Sequence, residues 1–246
     1  MRVFRGRAPT IDADRDLSRR LLSVATGGER AVRVWRPHRQ VAFGRRDTRR
    51  DGYERAGEAA RTHGFPPVER DVGGRAVAYD GETTIAFARA EPIADFRQGT
   101  SERYEALTAA LETVLSESGL DVERGEPADS FCPGTHSLST IGAAGTRRKV
   151  VGIAQRVRRD AALVAGIVLV ANRDELAAVL DAVYDALGVP FDPSSVGSVR
   201  DGGESTDPDR LRRAVEDALV DADPDAESIV LERVDETGER GGPRDS

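Results

Sequence analysis

Lysine and cysteine are almost absent from this sequence: each occurs once, as Lys149 and Cys132. A single cysteine excludes an intrachain disulfide, which is typical of proteins from a reducing compartment. Arginine supplies every other fixed positive side chain, so the retained lysine indicates a role that a guanidinium does not fill. A thiolate is a strong nucleophile, and together the two residues indicate acyl-transfer chemistry. The alternative is a buried structural cysteine with a surface lysine.

Long apolar runs and clustered basic residues are also missing. The longest apolar run, residues 161–171, is well short of the roughly 20 residues of a membrane span and is predicted to be a buried strand. The net charge of −7 does not favour a nucleic-acid partner. The first 16 residues are polar and lack a signal segment, so we expect a cytoplasmic protein that binds neither membranes nor nucleic acids.

The sequence has few residues that could form a metal centre or a familiar hydrolase site. Its three histidines, His38, His63 and His136, are far apart, and with one cysteine they give no metal-ligand spacing. It has no G-x-S-x-G elbow and no phosphate-binding GxxxxGK[ST] loop. The pattern therefore predicts no metal site.

Hydrophobic periodicity predicts an α+β fold, a mixed or antiparallel sheet flanked by helices in a single domain. The predicted helices span residues 12–24, 51–63, 101–118, 173–187 and 208–219. The predicted strands span residues 31–35, 40–43, 68–70, 76–79, 83–88, 136–141, 149–156 and 161–170. We expect residues 40–43 to pair with residues 31–35, Asp80-Gly81 to close a hairpin, and Ser101 to cap its helix.

The predicted domain division has three parts. Residues 1–190 form the catalytic domain, residues 191–237 a C-terminal extension with one helix packed on it, and residues 238–246 a disordered tail.

Three segments carry the candidate chemistry. Paired glycines at 73–74 let the backbone approach a ligand, although such a pair also fits a loop before a hairpin. Pro133 and Gly134 place Cys132 on a tight turn, where Lys149 or His136 could favour its thiolate form.

The third segment is the predicted strand 149–156. Strand alternation puts Lys149, Val151, Ile153 and Gln155 on one face, which suits a slot for an aliphatic chain with a polar end. An edge strand with solvated polar ends is the alternative. Gly152 in mid-strand indicates a bulge or a close backbone approach.

The Arg-x-x-Gly-Gly-x-Ala-Val and Lys-Val-x-Gly-x-Ala-Gln segments, in this order, resemble the biotin/lipoate protein ligase family. The resemblance extends over roughly residues 20–187 and implies that family's catalytic-domain fold. It implies an acyl pocket at the first motif and a lysine that holds the acyl carbonyl in the second. The implied substrate-binding residues are Arg70, Gly73, Gly74, Ala76, Val151, Gly152 and Gln155.

Cys-Pro-Gly before the lysine strand is similar to the amidotransferase branch of that family. The resemblance implies transfer of an octanoyl or lipoyl group from the glycine cleavage H protein to lipoyl domains of 2-oxoacid dehydrogenases. Cys132 would carry the group as a thioester and Lys149 would stabilise the oxyanion, with no cofactor. One alternative is a lipoate or octanoate ligase that uses ATP and Mg. Another is a non-catalytic subunit that binds lipoyl domains.

Overall fold

A computed structural model of the protein describes residues 1–70, 74–142, 145–202, 206–221 and 228–234. Within these residues the strands are β1 Arg2–Arg5, β2 Ala31–Trp35, β3 Gln40–Phe43, β4 Pro67–Glu69, β5 Val77–Tyr79, β6 Thr84–Pro92, β7 Glu123–Arg124, β8 Ser137–Ile141, β9 Arg147–Val157, β10 Ala161–Leu169 and β11 Val230–Arg233. They form one mixed sheet of eight strands, in the order β11-β1-β2-β6-β10-β9-β8-β7, and a small sheet, in the order β4-β3-β5.

Five α-helices accompany the sheets in the described residues. They are α1 Ile11–Thr26, α2 Tyr53–Thr62, α3 Thr100–Glu117, α4 Arg173–Leu187 and α5 Pro208–Asp221. Thr10 caps α1 by accepting a hydrogen bond from the Ala13 amide at 3.2 Å. The N-cap of α3 is Gly99, so the predicted capping role of Ser101 is wrong. No helix in the described ranges is long and apolar enough to cross a bilayer.

Helices and the small sheet cover both faces of the main sheet. One face packs against α3 and α5 in a cluster that includes Val34, Phe87, Leu111, Val164 and Val215. The opposite face packs against α1 at one end, and against α2, α4 and the small sheet at the other. This arrangement confirms the predicted α+β class, a mixed sheet flanked by helices.

Two predicted strand pairings are wrong. Strand β3 pairs with β4 and β5, not with β2. Asp80-Gly81 closes no hairpin, because β5 belongs to the small sheet while β6 pairs with β2 and β10. The Asp80 carboxylate accepts hydrogen bonds from the amides of residues 82, 83 and 84, so it turns the chain from one sheet to the other.

Both ends of the described chain meet in the main sheet. Strand β1 was not predicted, because the first 16 residues are mostly polar. Its Val3 and Phe4 are nevertheless fully buried. It pairs in parallel with β11, and α5 packs against α3 and β2. The division into residues 1–190 and 191–237 stays a prediction, and residues 238–246 lie outside the described ranges.

Candidate active site

Cys132 is held on a turn with an unusual backbone. Its φ is +40°, a left-handed conformation that a non-glycine residue adopts only when its surroundings hold it there. The Cys132 amide donates to the Tyr184 hydroxyl at 2.7 Å, and that hydroxyl donates to the Ala76 carbonyl at 3.0 Å. Tyr184 is fully buried, and burial raises the pKa of its hydroxyl. Helix α4 therefore fixes the cysteine turn to the glycine-rich segment that precedes β5.

Two donors converge on the half-buried sulfur of Cys132. Nη2 of Arg70 lies 3.1 Å from Sγ, and the backbone N–H of Arg75 lies 3.4 Å from it. Burial lowers the pKa of Arg70, but attraction to Cys132 and neighbouring groups outweighs burial and raises it overall. The guanidinium therefore stays charged beside the thiol.

Arg70 thus provides a positive neighbour of the thiol that the sequence did not indicate, and the corresponding expectation for Lys149 or His136 stays a prediction. The ring of His136 instead stacks on Tyr104, with 3.8 Å between centroids. Arg70 was predicted as a substrate contact, and a sequence gives no signal that it reaches a cysteine 62 positions away.

Gly74 forms the wall next to the sulfur. Its φ is +97°, and a Cβ on it would lie 2.8 Å from both Cys132 Sγ and Arg70 Nη2. Only glycine therefore allows the sulfur, the guanidinium and this backbone to meet. Gly73, the other predicted glycine of the pair, lies outside the described residues.

Lys149 is buried directly beneath the cysteine turn, with 1% of its surface exposed. Its ammonium donates to the carbonyls of Phe131 at 3.0 Å and Cys132 at 3.1 Å, and to the Glu126 carboxylate at 2.9 and 3.2 Å. These acceptors occupy all three of its protons. In this conformation Lys149 therefore anchors the backbone of Cys132, and no hydrogen bond joins it to the sulfur.

Glu126 completes this anchor. Besides Lys149, its carboxylate accepts from the hydroxyls of Ser130 and Ser137 and from the Gly134 amide. It therefore ties together both sides of the cysteine turn, the start of β8 and the lysine of β9. The sequence analysis missed Glu126, since a single glutamate in a polar loop has no distinguishing pattern.

A β-bulge in β9 puts Lys149 on the opposite face of the sheet from Val151. Ser139 pairs with Lys149 and Leu138 pairs with Val151, so Val150 is an extra residue in β9. Both Val150 and Val151 are therefore buried in the cluster under α3, and Lys149 points to the other face. The prediction that Lys149 shares a face with Val151, Ile153 and Gln155 is therefore wrong for Lys149, whereas the other three residues do lie on one face.

Val151 and Gln155 consequently lie across the sheet from the thiol. The Gln155 side-chain oxygen accepts from Nε of Arg103 on α3 at 3.1 Å. Their substrate-binding roles stay predictions, and the geometry places neither of them beside Lys149.

The Lys149 face of the sheet carries small side chains next to the site. Gly152 of β9 pairs with Ile167, and Ala154 pairs with Ala165. Ala154 is exposed, while Gly152 and Ala165 are half-buried. We refer to Gly152, Ala154 and Ala165 as the small-residue strip; it is a shallow apolar floor that could take an alkyl chain. Sequence reasoning identified Gly152 but not the two alanines.

We expect Gly152→Ala to damage the site. The added Cβ would lie 3.2 Å from Cε of Lys149 and 3.7 Å from its Nζ, so the lysine must move. Overpacking of this kind lowers the free energy of unfolding by about 1–3 kcal/mol, which thermal unfolding measures. The rate of acyl transfer should fall as well, because Lys149 is displaced. Gly57→Ala in α2 is the control, since its Cβ has no neighbour closer than 3.7 Å. Equal stability and transfer in both variants would contradict the tight fit of Lys149.

No group of three or more His, Cys, Asp or Glu side chains within the described ranges is arranged to hold a metal ion.

The sequence is similar to one family of catalytic domains and to several curated enzymes. Residues 15–220 match the lipoyl protein ligase A/B catalytic domain. An octanoyl-(GcvH):protein N-octanoyltransferase of Exiguobacterium sibiricum is 35% identical over 136 residues, which cover 54% of this chain and 46% of that protein. The octanoyltransferase LipM of Kyrpidia tusciae is 30% identical over 192 residues, 69% of each chain. The chain spans about half the length of most curated relatives it matches.

Solved structures agree on the fold. The crystal structure of lipoate-protein ligase A bound with ATP has a TM-score of 0.72 at 21% identity, and the match covers 96% of this chain and 90% of that one. A putative lipoate protein ligase from T. acidophilum with bound lipoic acid has a TM-score of 0.66 at 18% identity, over 96% of this chain and 90% of that one. With the matched domain covering most of its length, the chain belongs to the lipoyl protein ligase A/B catalytic domain family.

Proposed function

We propose that the protein is an acyltransferase of protein lipoylation, which moves an octanoyl or lipoyl group through a thioester on Cys132. The observation that carries the proposal is the pair of donors at the sulfur, Arg70 Nη2 at 3.1 Å and the Arg75 amide at 3.4 Å. Positive charge and N–H donors stabilise a thiolate, the reactive form of cysteine. The names of the relatives, octanoyltransferases, support the same reaction.

The reaction has two balanced steps. The Cys132 sulfur attacks the acyl carbonyl of the donor lysine amide; the C–S bond forms, the C–N bond breaks, and the amine leaves with the thiol proton. The amine of an acceptor lysine then attacks the thioester, forms a new amide and returns the proton to the thiol. In both steps the donors beside the sulfur stabilise negative charge. Neither step needs a nucleotide or a metal.

Lys149 contributes to this reaction by holding the cysteine turn in place. Holding the Cys132 carbonyl at 3.1 Å keeps the nucleophile in its left-handed conformation. Its predicted bond to the acyl carbonyl requires Nζ to exchange one of its present acceptors, because four acceptor atoms already share three protons. The acyl chain would lie on the small-residue strip beside it.

The proposed donor is the octanoylated glycine cleavage H protein, and the proposed acceptors are lipoyl domains of 2-oxoacid dehydrogenases. The test is a transfer assay with purified protein, octanoylated H protein and a lipoyl domain, without ATP. We expect the lipoyl domain to gain one octanoyl group. Modification that occurs only with free octanoate, ATP and Mg would identify a ligase instead. Binding of the lipoyl domain without modification under either condition would identify a binding subunit.

We expect Arg70→Gln to slow the chemistry of the thiol. The variant loses a charge-assisted hydrogen bond to sulfur, worth about 1.5–3 kcal/mol, so alkylation by iodoacetamide at pH 7 should fall about 10- to 100-fold. Arg55→Gln is the control, since Arg55 bonds the Ala186 carbonyl and not the sulfur. An unchanged rate at pH 7 would remove Arg70 from the mechanism.

A further inference from the structure

We propose that three exposed arginines, Arg45, Arg46 and Arg49, form a docking surface for the protein that carries the acyl group, and that this protein presents carboxylates to them. They lie in the loop between β3 and α2, residues 45–50, which we call the arginine loop. The inference rests on the proposed function, because it assigns a surface to the carrier protein of that reaction.

The arginine loop lies at the rim of the thiol site. A Cβ on Gly44, just before the loop, would lie 2.0 Å from the Gly74 carbonyl oxygen, and Gly74 itself abuts the Cys132 sulfur. Within the loop, buried Asp47 lies 3.6 Å from Nη1 of Arg75, the residue whose amide points at the sulfur. A protein that delivers an acyl-lysine to Cys132 therefore passes next to this loop.

Hydrogen bonds hold the backbone of the loop at both ends, although its arginine side chains are exposed. Asp47 accepts from the Gly44 amide at 3.1 Å, and its own amide donates to the Gly44 carbonyl at 2.9 Å. Arg50 closes the other end by donating to the Leu187 carbonyl at 2.7 Å. A pre-ordered charged surface loses little conformational entropy when a partner binds.

The charges of the arginine loop are not neutralised by neighbours. Among the residues that the structure describes, Arg45, Arg46 and Arg49 form no ion pair, whereas the side chain of Arg124, for example, bonds both Glu105 and Glu112. The whole chain carries a net charge of −7 and would repel an acidic protein. A cationic rim at the thiol would attract that protein locally and orient it.

The test compares two charge reversals of equal size. Arg46→Glu/Arg49→Glu changes the arginine loop, and Arg210→Glu/Arg213→Glu makes the same change of charge on exposed positions of α5, outside the site. Both are assayed for transfer from octanoylated H protein at low and high salt, and for acylation of Cys132 by a small thioester, octanoyl-pantetheine. At low salt we expect the arginine-loop variant to lose about tenfold or more in kcat/KM with H protein relative to wild type. At high salt the difference in kcat/KM between this variant and wild type should become smaller, because salt screens the charges.

The outcomes separate this inference from the proposed function. Acylation by octanoyl-pantetheine should be equal in wild type and both variants, since it needs no docking. Equal kcat/KM with H protein in both charge reversals would overturn the docking surface while leaving the transferase intact. Failure of wild type to accept an acyl group from either donor would overturn the transferase itself. Loop-dependent binding of a DNA duplex, with H-protein transfer unaffected, would assign the surface to nucleic acid and overturn the inference.

Discussion

Cys132→Ser is expected to abolish acyl transfer, by on the order of a thousandfold or more, while the protein stays folded. The serine hydroxyl does not ionise near neutral pH, and Arg70 and the Arg75 amide are placed to stabilise a thiolate, not to remove a proton. The described residues put no histidine beside the sulfur that could act as a base for serine, because the ring of His136 stacks on Tyr104.

The fold should survive because the turn is held by backbone atoms. Tyr184 binds the Cys132 amide and Lys149 binds the Cys132 carbonyl, so neither contact depends on the side chain. Thermal unfolding should therefore change little. Transfer at the wild-type rate by Cys132→Ser would show that the acyl group never passes through this residue.

The second large effect is expected at Lys149. Lys149→Met removes the cation from a largely buried pair: Glu126 keeps only neutral donors, and the carbonyls of residues 131 and 132 lose the ammonium. Breaking a buried ion pair in this way lowers the free energy of unfolding by about 3–5 kcal/mol. Acyl transfer should also be lost, because the cysteine turn is no longer held in place. Thermal or urea unfolding measures the first effect, and the ATP-free transfer assay the second.

A double variant separates stability from chemistry. Lys149→Met/Glu126→Gln no longer buries an unpaired carboxylate, so it should regain part of the lost stability. It should not regain transfer, because the ammonium is still missing from the site. Lys149→Arg should also fail, because a planar guanidinium is longer and spreads its charge, so it cannot reproduce the bonds of one ammonium to Glu126 and the two carbonyls. Full transfer by either variant would show that the ammonium is dispensable.

Local patterns predicted individual elements well. Strands β2 and β3 and helix α4 have the predicted bounds, because alternation and a terminal Gly188 with a φ of +62° are local signals. The candidate residues of the site were also visible, since a single cysteine and a single lysine are conspicuous in an arginine-rich chain; their catalytic roles stay predictions.

Long-range pairing could not be predicted in the same way. The separation of β3 and β5 into a second sheet depends on how Asp80 binds the amides that follow it. The bulge at Val150 depends on pairing with β8, and it alone decides which side of the sheet Lys149 occupies. Tyr184 and Arg70 reach Cys132 from 52 and 62 positions away, so only the folded chain reveals them.

The central claim is a thioester on Cys132, and the intact mass of the protein tests it most directly. The protein is incubated with octanoylated H protein, without ATP and without acceptor, and its mass is then measured. We predict a single octanoyl adduct that hydroxylamine removes and that Cys132→Ser does not form. An unmodified protein that nevertheless transfers the group to a lipoyl domain, or an adduct that persists in Cys132→Ser, would contradict the account.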